Sequence, residues 1–384
     1  MLECALTKDI LQSPIYHSQG NKSVTSLSEI YQGNTLVYLN PTIGHLQTKE
    51  LENVEEYYDK QYEIFNQSEE DDVLYTVVNG NKVFRQQHQI ETLLSKIEFE
   101  DGMKILDYGC AKGTVMKRLL AQKPNVLPHL FDVSKMYAHL WNKFLPSDRY
   151  ASYQLKKEWQ DSFDLVTSFF AFEHTPDPIK ELKNIKNVLK PGGLFYCIVP
   201  NIFDNNGDFI VADHVHHYSE ASLRYMLAKA GFETIEVDTE SHFAAFIIIG
   251  RKTHNDRIDL EIPQASLSEI NQKYLNMADY WNNLQLRIQD FEQTADRSLS
   301  AIYGAGVYGN FIATCLLDLD RIKYFVDRNP LLTGKKMMGK LIIHPDELPA
   351  EINTIYVGLN PKIAQLAIDS IDGWGQQNYE YFFL

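Results

Sequence analysis

The stretch ILDYGCAKG, residues 105–113, decides the fold prediction for this chain. An apolar run ends in Asp107, and Gly109 and Gly113 follow before the helical pattern TVMKRLLAQ. Because glycine has no Cβ, such a turn lets a ligand approach the backbone closely, and the next helix offers free N–H groups. A second acid, Asp132 in LFDVS, ends the next strand-like run and could accept hydrogen bonds from both ribose hydroxyls. This pattern predicts a site for an adenosine-containing methyl donor or a dinucleotide, the alternative being a turn that binds nothing.

Strand-like and helical segments alternate on both sides of this turn. FDLVTSFF and LFYCIVP read as buried strands, and DPIKELKNIKNVLK reads as an amphipathic helix stopped by Pro-Gly-Gly. SEASLRYMLAKAG reads as a helix that Ser219 opens and Gly231 closes. The alternation predicts an α/β fold, with a mostly parallel sheet and helices on both faces.

The length of 384 residues exceeds one ordinary core, so we expect several units. After Pro263, a long glycine-free stretch predicts one or two bridging helices, and strand–turn–helix patterns then return. The predicted units are a small N-terminal module (1–60), a central α/β domain (61–252), a helical bridge (253–298) and a smaller C-terminal α/β domain (299–384).

The C-terminal unit contains a second glycine-rich turn, IYGAGVYGN, with Gly304, Gly306 and Gly309 in the spacing G-x-G-x-x-G. FVDRNP follows about 20 residues later and supplies Asp327, which fits a dinucleotide site. The motif alone leaves three readings open. They are a turn that binds nothing, a site for a nucleotide sugar or another phosphate ligand, and a working NAD site.

The segments ILDYGCAKG, LFDVS, FDLVTSFFAFEH, LKPGG and IVPN occur in the order seen in class I S-adenosylmethionine-dependent methyltransferases, which residues 82–252 therefore resemble. The resemblance implies a Rossmann-like domain that binds S-adenosylmethionine. It also implies that the first turn cradles the amino-acid part of this donor and that Asp132 holds the ribose. The cradling residues would be Asp107, Gly109, Ala111 and Gly113.

Two positions depart from that family's pattern. Ala111 stands where the family usually has glycine, and we expect a negative φ there because alanine tolerates positive φ poorly. Tyr153 and Gln154 stand in RYASYQLKKEW, where the family often has an acid near the adenine. The sequence therefore predicts the ribose contact more firmly than the adenine contact.

The whole layout resembles the bacterial sugar C-methyltransferases, which act on nucleotide-linked deoxy-keto-sugars. VDRNP and GKLIIHPDEL also look like their C-terminal domain, which helps to hold the substrate and is not a redox unit. The resemblance assigns substrate binding to Gly304, Gly306, Gly309 and Asp327. Tyr57 and Tyr58 resemble a tyrosine that the family places over the substrate, although an exposed aromatic pair at a domain junction is the alternative.

The N-terminal module of that family usually carries two CxxC pairs that bind a structural zinc ion. The matching positions here are Cys4, Thr7, Asn40 and Ile43, so one of four ligands is present. Cys4 with His17 and His45 is another conceivable set, but their spacing does not require a metal. We therefore expect no metal, and a module held by packing around residues such as Tyr38 and Leu46.

DHVHHYS, residues 213–219, follows the strand that ends in IVPN, at the carboxyl end of a parallel sheet where ligands bind. The adjacent His216 and His217 would diverge on an extended chain, which argues against a metal site. His214 fits a general base that Asp213 raises in pKa or orients, the alternative being a loop histidine without proton transfer. The family has tyrosine–x–Glu–His here, whereas this chain has valine at position 211 and a shorter acid.

Two further histidines complete the predicted acceptor site. His174, in FAFEHTPD, reaches the same edge of the sheet, where it would line the pocket or help to activate the substrate. His217 would contact substrate. The sequence thus predicts base-assisted C-methylation of a nucleotide-activated keto-sugar. The alternatives are O- or N-methylation of a sugar or another small molecule, and a scaffold protein that no longer turns over.

Composition limits the partners. The formal net charge is −15, which opposes nucleic acid as the main partner because phosphate binding needs a basic surface. AAFIIIG, near residue 247, is the longest apolar run and is too short to cross a bilayer. MLECALTKDI lacks the apolar run of a secretory signal, and four scattered cysteines give no disulfide framework. We therefore expect a cytoplasmic protein without nucleic-acid or membrane partners, of unspecified oligomeric state.

Overall fold

The computed structural model of the protein describes residues 1–52, 74–78, 81–295 and 299–384. Its N-terminal module contains seven short strands. These strands are β1 Leu2–Glu3, β2 Ile10–Leu11, β3 Tyr16–His17, β4 Ser23–Val24, β5 Ile30–Tyr31, β6 Leu36–Asn40 and β7 His45–Thr48. The sequence YLNPTIGH contains the turn that connects β6 to β7, and these two strands pair antiparallel. Tyr57 and Tyr58 lie outside the described residues.

The central domain is built on a seven-stranded sheet with helices on both faces. Before this sheet come the hairpin β8 Leu74–Val78 and β9 Asn81–Phe84 and the helix α1 Arg85–Lys96. The strands of the sheet are β10 Lys104–Tyr108, β11 Leu127–Asp132, β12 Tyr150–Ser152, β13 Phe163–Phe169, β14 Leu189–Pro200, β16 Phe232–Asp238 and β17 Ala245–Lys252. The helices are α2 Thr114–Gln122, α3 Ala138–Trp141, α4 Pro178–Val188 and α5 Glu220–Lys229. The strand order is β12-β11-β10-β13-β14-β17-β16, parallel except where β17 runs against its two neighbours.

Local sequence signals explain the helix ends. Asp177 caps α4 by accepting a hydrogen bond from the Lys180 N–H, and a proline occupies the first helical position. The helix ends at Val188 and β14 already includes LKPGG, because the residue before a proline avoids helical geometry. Ser219 caps α5 as predicted, and Gly231 follows that helix with φ +79°.

The C-terminal domain repeats the same plan on a smaller scale. A single helix, α6 Gln264–Thr294, leads to it and is roughly 46 Å long. Its strands are β18 Leu299–Tyr303, β19 Ile322–Val326, β20 Lys336–Met337, β21 Lys340–Ile343, β22 Ile352–Val357 and β23 Glu380–Phe383, with helices α7 Val307–Cys315 and α8 Ala364–Asp369. The order is β20-β21-β19-β18-β22-β23, with only β20 antiparallel to its neighbour. In the described part of the chain, no helix has the length and apolar character needed to cross a membrane.

The N-terminal module shares its core with the rest of the protein. The central domain contributes a further strand, β15 His216–His217, which pairs with β7 and completes a four-stranded sheet. Tyr38 packs into an apolar cluster with the central domain, whereas Leu46 belongs to a cluster with α6 and the C-terminal domain. The module is therefore held by packing against its neighbours. Its buried residues belong to cores that it shares with the other units, and not to the small core of its own that the sequence led us to expect.

The four positions matched to zinc ligands come together in two pairs. Asn40 Nδ2 donates to Thr7 Oγ1 at 2.9 Å, while Cys4 and Ile43 are buried in the same apolar cluster. All four cysteines of the chain are free and buried.

Candidate functional site

A large cavity, with a volume of about 1390 Å³, lies at the carboxyl ends of β10, β11, β13 and β14. Most of its wall comes from the central domain, but Ser26 and Leu27 of the N-terminal module and Asn360 of the C-terminal domain also line it. All three globular units therefore contribute to one site, in the crevice where open α/β sheets bind ligands.

The first glycine-rich turn forms one end of the cavity. Asp107 is the penultimate residue of β10 and is buried, and its Oδ1 accepts a hydrogen bond from the Thr167 hydroxyl at 2.9 Å. Gly109 has φ +78°, and a Cβ there would lie 2.6 Å from the Cβ of Ala171, so glycine is required. Gly113 also has positive φ and packs against Leu130, but it does not contribute to the cavity wall. The role of Gly113 in this structure is to let α2 begin close to β11.

Ala111 corrects one expectation. Its φ is +43°, in the left-handed region, and not negative as the sequence led us to expect. Two distant partners hold it there, since the Ala111 N–H donates to Asp132 Oδ2 at 2.8 Å and Trp141 Nε1 donates to the Ala111 carbonyl at 2.8 Å. The left-handed conformation costs alanine about 1–2 kcal/mol, and these hydrogen bonds offset the cost.

Asp132 lies at the end of β11 on the cavity wall. Its Oδ1 accepts from the Ser134 N–H at 3.0 Å, in addition to the bond from Ala111. Each carboxylate oxygen has two lone pairs, so both can still accept hydrogen bonds from ligand hydroxyls. Tyr153, which has φ +65°, lines the cavity nearby, whereas Gln154 does not, and the adenine contact stays a prediction.

The electrostatics of this end fit the predicted methyl donor. The pKa of Asp107 is raised to about 7, mainly by burial; the hydrogen bond from Thr167 acts to lower it and the charge of Asp132 acts to raise it. Burial also raises the pKa of Asp132. Two buried carboxyl groups in one cavity favour a ligand that brings a cationic ammonium group to Asp107 and hydroxyls to Asp132. S-adenosylmethionine has both, and its ammonium and hydroxyl groups match this pair of acids.

The acceptor end of the cavity holds a histidine–aspartate pair. His214 lines the cavity, and its Nδ1–H donates to Asp208 Oδ1 at 2.6 Å. Burial lowers the pKa of His214, but the charge and hydrogen bond of Asp208 outweigh burial and bring it to about 9. His214 is therefore mainly an imidazolium at neutral pH, with Nε2 on the opposite edge of the ring.

Asp208 was missed by the sequence analysis, which assigned the orienting role to Asp213. The charge of Asp213 does help to raise the pKa of His214, behind the contribution of Asp208, but its carboxylate does not bond to the ring. It accepts from the N–H and the hydroxyl of Ser26, at 2.7 and 2.6 Å. The correction has a simple cause, because the extended chain points neighbouring side chains apart while Asp208 lies on a short 3-10 helix, Asn206–Ile210, that folds back beneath His214. The only sequence signal was an acid in NNGDF six residues before the histidine, which is not distinctive.

His174 lies against His214, with ring centroids 4.7 Å apart. Its Nδ1 is 2.8 Å from the Asp213 carbonyl oxygen, which can only accept, so Nδ1 carries the proton. Burial, followed by the charge of His214, lowers the pKa of His174 to about 4. The cavity thus holds one charged and one neutral imidazole at neutral pH.

The remaining histidines of DHVHHYS lie behind the cavity wall. His216 and His217 diverge as expected, His216 toward His45 at 2.9 Å and His217 toward Asp208 Oδ2 at 2.8 Å. The sequence predicted a substrate contact for His217, but its side chain is fully buried and Thr48 Oγ1 lies 2.9 Å from its Nε2. Its position is that of a support for Asp208.

Within the described ranges, one group of metal-ligand type converges. Atoms of Glu173, His174 and His214 lie within 4.8 Å of one another at the acceptor end of the cavity. The Cys4, His17 and His45 set considered from the sequence does not form such a group. Val211 is buried and forms an isolated parallel β-bridge with Val24 of the N-terminal module.

The C-terminal turn lies away from the cavity wall. A Cβ on Gly309 would fall 1.9 Å from the Gly304 carbonyl oxygen, so the glycines are required by packing within the turn. Asp327 accepts from the Ala305 N–H at 2.8 Å and from the Asn329 N–H at 2.8 Å. Substrate binding by Gly304, Gly306, Gly309 and Asp327 stays a prediction, and Asn360 is the C-terminal residue that lines the cavity.

Comparison with known proteins agrees with this geometry. Residues 84–237 match the family model of a methyltransferase domain. The C-methyltransferase NovU of Streptomyces niveus is 24% identical over 223 residues, which cover 54% of this chain and 53% of that protein. A ubiquinone biosynthesis O-methyltransferase of Xanthomonas campestris pv. campestris (strain B100) is 34% identical over 106 residues, covering 26% of this chain and 44% of that protein. The chain spans about half the length of the curated relatives it matches.

Solved structures with similarity include S-adenosylmethionine-dependent methyltransferases from Mesorhizobium loti and Aquifex aeolicus. The Mesorhizobium loti structure is 17% identical, and the match covers 43% of this chain and 98% of that protein. The Aquifex aeolicus structure is 21% identical, and the match covers 43% of this chain and 90% of that protein. Both TM-scores are 0.35. The strand order, the first turn and the family match identify the central domain as a class I methyltransferase domain with S-adenosylmethionine as its cofactor. The predicted fold class and cofactor are confirmed.

Proposed function

We propose that this protein transfers a methyl group from S-adenosylmethionine to a carbon atom of a nucleotide-activated deoxy-keto-sugar. The observation that carries the proposal is that a buried histidine–aspartate pair, His214 and Asp208, shares one cavity with the methyl-donor residues. C-methylation beside a ketone needs a base, whereas an acceptor that is already nucleophilic needs only alignment. Similarity to a C-methyltransferase over about half of the chain supports the same reaction.

The chain's own groups suggest the following steps. In the fraction of the protein in which His214 is neutral, its Nε2 takes the proton from the carbon beside the ketone, and the C–H electron pair moves to the carbonyl oxygen as an enolate. Asp208 stabilises the imidazolium that results, since it already holds Nδ1–H. S-adenosylmethionine supplies an electrophilic methyl group on a sulfonium. The enolate carbon then bonds to that methyl carbon as the carbon–sulfur bond breaks, leaving the electron pair on sulfur.

The acceptor end of the cavity suits a large polar substrate. It is walled by parts of three units, and Lys180 and Arg85 also line it, which would favour an anionic diphosphate. In this proposal Ser26 and Leu27 close one side and Asn360 another, while the C-terminal domain holds the nucleotide. Gly304, Gly306, Gly309 and Asp327 belong to that domain and keep their proposed substrate roles only through such contacts. Tyr58, which lies outside the described residues, stays a proposed substrate residue, whereas the buried His217 does not.

The test uses keto-sugar nucleotides deuterated at the carbon beside the ketone. We expect the product to carry a new carbon-bound methyl group and to have lost the deuterium. A product that keeps the deuterium and carries the methyl on oxygen would support the alternative, O-methylation, which the similarity to ubiquinone biosynthesis O-methyltransferases favours. Absence of turnover together with tight binding of S-adenosylhomocysteine would favour a scaffold protein.

A further inference from the structure

Glu173 is a buried acid at the acceptor end of the cavity that the steps above do not use. Its side chain is 1% exposed, it contributes to the cavity wall, and its Oε2 has no hydrogen-bond partner among the described residues. An unpaired buried carboxyl oxygen costs folding free energy, so a native protein retains one where a ligand can supply the partner.

The backbone around Glu173 fixes the position of this carboxyl group. The Glu173 carbonyl accepts a hydrogen bond from the His216 N–H at 3.0 Å, which ties it to β15. The next residue, His174, is bonded to the Asp213 carbonyl. The Glu173 carboxyl therefore converges with the imidazoles of His174 and His214, within 4.8 Å.

The surroundings favour a carboxyl group that is partly protonated. Burial raises the pKa of Glu173 to about 7; His214 and Arg85 act to lower it, and Asp208 acts to raise it. The other titratable groups around it are the neutral His174, and Cys197 and Tyr218, whose own pKa values the charge of Glu173 helps to raise. A protonated carboxyl in a low-dielectric site can donate a strong hydrogen bond to an oxygen that gains negative charge.

We propose that Glu173 is a second catalytic group, which donates a hydrogen bond to the acceptor's carbonyl oxygen and stabilises the enolate that forms when His214 removes the proton. This inference rests on the proposed function. The electron pair of the broken C–H bond moves to the carbonyl oxygen, and the hydrogen bond from Glu173 stabilises the negative charge on that oxygen. After the new carbon–carbon bond forms, the carbonyl is restored and Glu173 is unchanged.

The experiment separates proton removal from methyl transfer. Enzyme with S-adenosylhomocysteine is incubated with the deuterated keto-sugar nucleotides, and loss of deuterium to solvent is followed by NMR. We expect Glu173→Leu to slow this exchange by about 10²- to 10³-fold with KM changed only a few-fold. We expect Glu173→Gln, whose amide can still donate a hydrogen bond, to slow the exchange less than Glu173→Leu does.

A stability control distinguishes catalysis from structure. Glu292 is also buried, but its two carboxylate oxygens accept from the Leu317 and Asp318 N–H groups at 2.7 and 2.8 Å. We expect Glu292→Gln to lower Tm, and Glu173→Gln to raise Tm or leave it unchanged. Exchange at the wild-type rate in Glu173→Leu, or a fall in Tm of Glu173→Gln like that of the control, would overturn the catalytic role.

Two further outcomes are distinguishable. Wild-type protein that exchanges no deuterium from any of these substrates would overturn the proposed function and the role of Glu173 together. Exchange that EDTA abolishes and Zn²⁺ restores would leave the proposed function in place but assign Glu173, His174 and His214 to a metal ion, which would overturn the hydrogen-bond donor.

Discussion

Replacing Asp208 by asparagine tests whether this carboxylate sets the charge of His214. The two side chains are buried and their atoms Oδ1 and Nδ1 are 2.6 Å apart. Burial alone would lower the pKa of His214, yet the pKa is about 9 because Asp208 outweighs burial. The rise above the ordinary value of about 6.5 corresponds to about 3 kcal/mol of preference for the imidazolium.

In Asp208→Asn the opposing charge is gone while the burial remains, so the pKa of His214 should fall below about 6.5. At pH 7.5 the neutral fraction should rise from about 3% to more than 90%. Proton–carbon NMR of protein with ¹³C-labelled histidine measures both titrations, and His214→Gln assigns the signal. His129, which lies on β11, should titrate identically in both proteins. A wild-type His214 that titrates near 6.5, or an unchanged pKa in the variant, would refute the reasoning.

The same pair makes stability depend on pH, with a sign that follows from the pKa shifts. The raised pKa of His214 gives stability that is fully present below about 6.5 and is lost as pH rises through about 9. The charges of His214 and His217 outweigh burial and hold the pKa of Asp208 below its ordinary range, which gives stability above about pH 4. Urea unfolding should therefore show the wild type exceeding Asp208→Asn most between pH 5 and 6.5. That difference should shrink by up to about 3 kcal/mol by pH 10, and a difference independent of pH would contradict the pairing.

Three further predictions follow from the same contacts. If His214 is the base, kcat/KM for methylation by Glu173→Gln, whose amide does not titrate, should rise about tenfold per pH unit from pH 7 and level off near 9, and a flat profile in that variant would point to another base. Ala111→Gly removes the strain of φ +43° but adds unfolded-state entropy, so urea unfolding should show a gain of about 0.5–1 kcal/mol, and a loss would mean that the methyl group packs favourably. Ser26→Ala removes a donor to Asp213, so KM for the acceptor should rise several-fold while calorimetry shows unchanged affinity for S-adenosylhomocysteine. A matching loss of that affinity would show that the N-terminal module also shapes the donor end.

The sequence predicted those parts of the site whose residues all lie within one short stretch of the chain. Asp107, the turn and Asp132 follow from one strand–turn–helix–strand unit of about 30 residues, and the structure brings them together on one cavity wall. The sign of φ at Ala111 was not predictable, because it depends on hydrogen bonds to residues 21 and 30 positions away. The acceptor end was less predictable still, since Ser26 meets Asp213 across 187 residues and no local pattern encodes that pairing.

The two glycine-rich turns show why such a motif does not by itself identify a ligand. Asp132 and Asp327 each accept one hydrogen bond from an N–H of their turn and a second from the N–H two residues further along the chain. The acid at the end of the second strand therefore stabilises the turn itself, whether or not a nucleotide binds. What separates the two turns is their surroundings, because Asp132 faces the cavity and Asp327 does not. A strand, a glycine-rich turn and a distant acid thus predict a fold, and the function follows only from the side chains that the rest of the chain brings to that edge of the sheet.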